Sequence, residues 1–103
     1  MVFIETSVFT KQVREMLTDD EYALLQQHLA GNPMAGDVIQ GTGGLRKLRW
    51  AAMGKGKRGG VRIIYFHVAV ASQIRLVLIY RKGIKDDLTV AEKASLRAII
   101  ERW

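Results

Sequence analysis

Between Val38 and Lys85 the chain carries eleven basic side chains and no acidic one: Arg46, Lys47, Arg49, Lys55, Lys57, Arg58, Arg62, Arg75, Arg81, Lys82 and Lys85. All ten Asp and Glu lie outside this block, together with only five Lys and Arg. Positive charge segregated in this way attracts phosphate backbones and releases their counterions on contact. An acidic protein partner is the other ligand such a face would suit. Lysine, arginine and tyrosine on adjacent strands can perform one kind of chemistry. RNA carries its own nucleophile, the 2′-hydroxyl, so a protein need only set it in line with the neighbouring phosphate. Cations then stabilise the charge that grows on the phosphate oxygens. Arginine cannot act as a base, whereas lysine can where neighbouring cations disfavour its charged form. A merely solvated basic face is the competing reading.

Other motifs carry less. Gly54-Lys55-Gly56-Lys57-Arg58-Gly59 fits the dinucleotide pattern G-x-G-x-x-G, but that site needs a helix N-terminus after it, and a strand-like run, Val61 to Phe66, follows. Extended to Val61 it also matches a kinase glycine loop, in a chain far too short for a kinase and without H-R-D or D-F-G. The glycines are better read as a hairpin tip carrying three cations. His28 and His67 have no carboxylate at a spacing that would orient them. Trp50 and Trp103 are expected in the core or at an interface, although an exposed tryptophan can stack on a base. Without cysteine there is no disulfide or thiolate metal site. No His, Asp and Glu cluster suggests a metal, and no cofactor is expected.

The elements that must position this chemistry follow from periodicity. Val2 to Glu5 predicts a first strand. Ser7 predicts the cap of a helix that buries Phe9, Val13, Met16 and Leu17. Thr18-Asp19-Asp20-Glu21 is a capping box opening a second helix with Tyr22, Leu25 and Leu29 inward, ended by Gly31-Asn32-Pro33. The two make a helical hairpin. From Leu45 to Met53 the pattern alternates, with Leu48 and Trp50 on one face and Lys47 and Arg49 on the other. Val61 to Ala71 and Ile74 to Lys82 predict an antiparallel pair. Thr89-Val90-Ala91-Glu92 is a second capping box, opening a C-terminal helix with Leu96, Ile99, Ile100 and Trp103 at helical spacing. At 103 residues the chain is expected to form one α+β domain, residues 1–103, with helices packed on an antiparallel sheet. The N-terminus lacks a signal-peptide pattern, and the apolar run from Val68 to Tyr80 is broken too early for a membrane span, so a cytoplasmic protein with no membrane partner is expected.

The run from Gly36-Asp37-Val38-Ile39-Gln40-Gly41-Thr42-Gly43-Gly44 through Leu45-Arg46-Lys47-Leu48-Arg49, with Gly54 to Tyr65 after it, closely resembles the HigB-type branch of the RelE toxin superfamily. The resemblance extends to Leu78-Ile79-Tyr80 and the helix start at Asp87-Leu88, and so covers essentially the whole chain. It implies a RelE-like α+β fold and a toxin of a type II toxin–antitoxin pair. It further implies metal-free cleavage of mRNA on the translating ribosome, and inhibition by a HigA-like helix-turn-helix antitoxin. The family mechanism is attack of the 2′-hydroxyl on phosphate, leaving a 2′,3′-cyclic phosphate or 3′-phosphate end. The family's strand arginine matches Arg62, its basic pair falls on Lys47 and Arg49, and the lysine ending its last strand looks like Lys82. Many relatives place a Tyr or His near the C-terminus, and nothing after Lys82 here is either; Tyr80 is the candidate instead. The expected catalytic set is therefore Arg62, Lys82 and Tyr80, and the expected RNA-binding set is Lys47, Arg49, Lys55, Lys57 and Arg58. Two other uses of such a chain are a ParE-like DNA gyrase inhibitor and a non-catalytic RNA-binding module.

Overall fold

The computed structural model describes residues 1–51, 60–83 and 88–103. The expected hairpin tip with Lys55, Lys57 and Arg58 lies outside the described residues, as does Lys85. Within them the order is β1 (Val2–Glu5), α1 (Ser7–Met16), α2 (Asp19–Gly31), β2 (Asp37–Val38), β3 (Arg46–Trp50), β4 (Val61–Val68), β5 (Gln73–Arg81) and α3 (Val90–Arg102). The strands form one sheet in the order β1-β5-β4-β3-β2. Three neighbouring pairs are antiparallel, but β1 runs parallel to β5, so the sheet is mixed rather than purely antiparallel. A parallel pair needs a long crossover, and everything from α1 to β4 supplies it. The two-residue β2 was not foreseen.

Local chemistry sets the helix boundaries. Thr6, not Ser7, caps α1: its side chain accepts the Phe9 N–H at 3.0 Å, while Ser7 is the first helical residue. Both expected capping boxes form, with Thr18 and Glu21 exchanging bonds of 3.1 and 2.7 Å, and Thr89 and Glu92 bonds of 3.1 and 2.9 Å. Each satisfies two backbone donors that a helix start otherwise leaves to water. Between β4 and β5 the chain turns through Ala69–Ala71 and a left-handed Ser72, so β4 ends earlier than the apolar run does.

The sheet buries both faces. On one, α1 and α2 contribute Phe9, Val13, Leu17, Leu25 and Leu29 against Leu48, Val61, Ile63, Tyr65, Leu76 and Ile79. On the other, Leu96 of α3 meets Leu45, Ile64, Val77 and Tyr80, with Ile100 and Leu88 beside them. Each fully buried Leu, Ile or Phe contributes about 1.5–3 kcal/mol relative to exposure. The face carrying Lys47 and Arg49 is therefore not an open outer surface; α3 covers part of it. Ile99 and Trp103, expected inward, stay 41% and 38% exposed, and Trp103 instead lies under the Arg75 guanidinium, 5.2 Å from its ring centre. Among the described residues no helix is long and apolar enough to cross a membrane.

Candidate active site

The register across β3, β4 and β5 assembles one row. Arg49 lies directly opposite Arg62, and Arg62 directly opposite Tyr80. Paired residues share a face, so a guanidinium, a second guanidinium and a phenol stand side by side across about 10 Å of sheet, two strand spacings. The next row is Lys47, Ile64 and Leu78. All face α3, because Leu48, Val61 and Ile63 between them point to the other core.

A β-bulge makes this row possible. Tyr65 pairs with Leu76 but Ile64 pairs with Leu78, so Val77 is an extra residue in β5. Strict alternation would put Leu76, Leu78 and Tyr80 on one face, away from Arg62. The bulge moves everything after it by one: Leu76 and Ile79 lie in the first core, Val77, Leu78 and Tyr80 in the second. The extra residue's carbonyl does not go unpaired. The Thr6 hydroxyl donates to it at 2.8 Å.

Of the expected residues, Arg49 is exposed, Lys47 and Arg62 are half-buried, and Tyr80 is 7% exposed beneath α3. Lys82 is exposed just beyond β5, its N–H bonded to the Gly60 carbonyl at 3.1 Å, and so flanks the end of the row. The structure thus brings Arg62, Tyr80, Arg49 and Lys47 together, with Lys82 at the rim.

Other members of the basic block serve elsewhere. Arg46 faces the opposite core, where its guanidinium donates to the Gly36 carbonyl at 2.8 Å. The same loop is held by Tyr65, whose hydroxyl donates to the Pro33 carbonyl at 2.7 Å and accepts the Gly36 N–H at 2.9 Å. Burial pushes the Tyr65 hydroxyl above its ordinary pKa, partly offset by the Gly36 N–H and the Arg46 charge. Gly36 has no alternative here, since a Cβ would come within 2.9 Å of the Lys47 carbonyl and of the Tyr65 ring. At Gly44, with φ +117°, a Cβ would come within 3.0 Å of the Phe66 ring. These two contacts explain much of the glycine-rich run: it shapes the approach to β3.

Three charged residues near this face were not singled out in the sequence. Asp37, just before the acid-free block, sits directly opposite Lys47 on β3. Arg97 of α3 reaches the β2–β3 turn, where a Cβ on Gly43 would lie 3.6 Å from its Nε, and it also pairs with Glu101 at 3.1 Å. Lys93 is one helical turn earlier on the same flank. Both cations lie outside the basic block, so counting charge along the chain could not find them; the α3 periodicity could have.

No family model matches the chain. Among solved structures it is similar to the Escherichia coli toxin RelE, a double arginine-to-alanine mutant in the free state, at 12% identity and a TM-score of 0.60. The match covers 96% of this chain and 95% of that one. A likeness so complete in extent and so low in identity speaks to architecture: among the described residues, five strands and three helices arranged as a RelE-like α+β fold.

Proposed function

We propose that this chain is a single-domain, HigB-type toxin of a type II toxin–antitoxin pair, a ribosome-dependent mRNA endoribonuclease acting in the cytoplasm. The observation that carries the reading is the row Arg49–Arg62–Tyr80 on a RelE-like fold. Like charges directly opposite one another in a strand pair destabilise the pair. Stability given up at one place on a surface points to function there, and two adjacent guanidiniums suit a phosphate.

In the reaction, the 2′-oxygen attacks phosphorus, the bond to the 5′-oxygen breaks, and a 2′,3′-cyclic phosphate and a 5′-hydroxyl result. Arg62 stabilises the charge on the phosphate oxygens, with Arg49 and Lys47 holding the strand. Lys82 is assigned proton transfer between the 2′-hydroxyl and the leaving oxygen, and Tyr80 supports the Arg62 side of the site. Lys55, Lys57 and Arg58 are assigned phosphate contacts further along the strand. A HigA-like helix-turn-helix antitoxin is the proposed inhibitor. Inducible expression followed by mapping of mRNA 5′ ends tests the reading. In-frame cuts within translated regions are expected; intact mRNA with DNA-damage signalling would replace it with gyrase inhibition.

A further inference from the structure

We infer that Thr6, remote from the row in sequence, is a positioning residue for Tyr80, acting through the Val77 bulge. The inference rests on the function proposed above and adds a residue to it. Thr6 bonds to both β5 and α1 at one point. Its N–H donates to the Leu76 carbonyl at 3.0 Å, and its hydroxyl donates to the Val77 carbonyl at 2.8 Å. The hydroxyl oxygen also accepts the Phe9 N–H at 3.0 Å, and its carbonyl accepts the Thr10 N–H at 3.0 Å. Thr6 thus ties two consecutive β5 carbonyls, one of them the bulged residue's, to the first turn of α1.

A bulge leaves its extra residue outside the ladder, and a slip back to strict alternation reverses the face of every later residue. In β5 the first polar consequence of such a slip is Tyr80 leaving the face of Arg62. The Thr6 hydroxyl is the bond that the slipped register would have to break. It is fixed in place because the same oxygen caps α1, and α1 is anchored by Phe9, which is wholly buried. Register is thereby tied to helix docking through a single side chain.

The test compares purified Thr6→Val, which keeps shape and loses the hydroxyl, with Thr6→Ser, which keeps it. Tyr65→Phe serves as a control that loosens the Pro33–Gly36 loop on the opposite face. Cleavage of mRNA on programmed ribosomes is followed below each protein's melting temperature. Cross-strand backbone NOEs between Arg62 and Tyr80 are recorded in parallel. The inference expects Thr6→Val to lower kcat about tenfold with KM within twofold, to weaken the Arg62–Tyr80 NOEs, and Thr6→Ser and Tyr65→Phe to do neither. Were Thr6→Val to keep the NOEs, or the control to lose kcat equally, Thr6 would be merely structural and the inference overturned. Should Thr6→Val fail to fold, Thr6→Ser decides: unchanged NOEs and kcat uphold the hydroxyl's role, and their loss refutes it. If the parent protein cleaves no RNA, the proposed function fails, and the NOEs alone decide whether Thr6 sets the register.

Discussion

Arg62 stands between Arg49 and Tyr80, the middle of the row proposed to take a phosphate. Removing a preorganised charge donor from a transition state costs about 3–4 kcal/mol. Arg62→Ala is therefore expected to stay folded, by its circular dichroism and melting curve, and to lose roughly two to three orders of magnitude in single-turnover cleavage. Tyr65 belongs to the scaffold. Tyr65→Phe strands the buried Gly36 N–H and one Pro33 carbonyl, which should cost about 1–3 kcal/mol in a urea titration. A third tyrosine makes stability depend on alkaline pH. The Tyr22 hydroxyl donates to Glu5 at 2.5 Å, and burial, then that bond, pushes its pKa well above the usual 10.0. Folding thus favours the neutral phenol. Its contribution is complete below pH 10.0 and is lost as pH rises above that value, when the unfolded chain ionises and the native one resists. Stability curves of the parent and Tyr22→Phe should run parallel from pH 7 to 9, and the parent should fall more steeply above 10.

The elements that short-range rules govern were legible in the sequence. Thr18 with Glu21 and Thr89 with Glu92 cap their helices as expected, because all the groups involved lie within one turn. Phe9, Leu25 and Leu29 took the inward positions that a 3.6-residue period demands. Long-range pairing was not legible. The parallel contact of β1 with β5 joins residues about seventy positions apart, and β2 is too short to carry a period. The bulge at Val77 mattered most for the site. Arg62 and Tyr80 both emerged as candidates, yet their shared face depends on one extra residue inside a continuous apolar run, where alternation gives no signal. Charge along the chain was also an incomplete guide: Arg46 proved structural, and Arg97, outside the basic block, reaches the β2–β3 turn from α3. The segment between β3 and β4 retains its sequence-based expectation. Replacing Lys55, Lys57 and Arg58 together by Gln should weaken RNA binding and reduce its salt slope by about 0.7 per lost phosphate contact. Anisotropy titrations at several salt concentrations would show an unchanged slope if those cations touch no phosphate.

At the scale of the molecule, the two faces of the sheet have separate tasks. One is sealed by α1 and α2, where Thr6 bonds to the Val77 carbonyl and Tyr65 and Arg46 hold the Pro33–Gly36 loop. The other is only partly covered by α3, leaving Arg49 exposed and Arg62 and Lys47 half-exposed along its β3 side. Such a surface has many cations but few groups able to move a proton, and a strand of RNA would lie on it with little to hold its 2′-hydroxyl in line. The proposed dependence on the ribosome fits that imbalance, since positioning can be supplied by the machine that already holds the message. The most direct measurement uses a purified, defined mRNA with a 3′-end analysis of its products. The protein is added to the mRNA alone and to the same mRNA on stalled ribosomes. Cleavage is expected only on the ribosome, with 2′,3′-cyclic phosphate or 3′-phosphate ends, and slowed by roughly two to three orders of magnitude in Arg62→Ala. Intact mRNA on the ribosome, or equal cleavage by the folded Arg62→Ala protein, would contradict it.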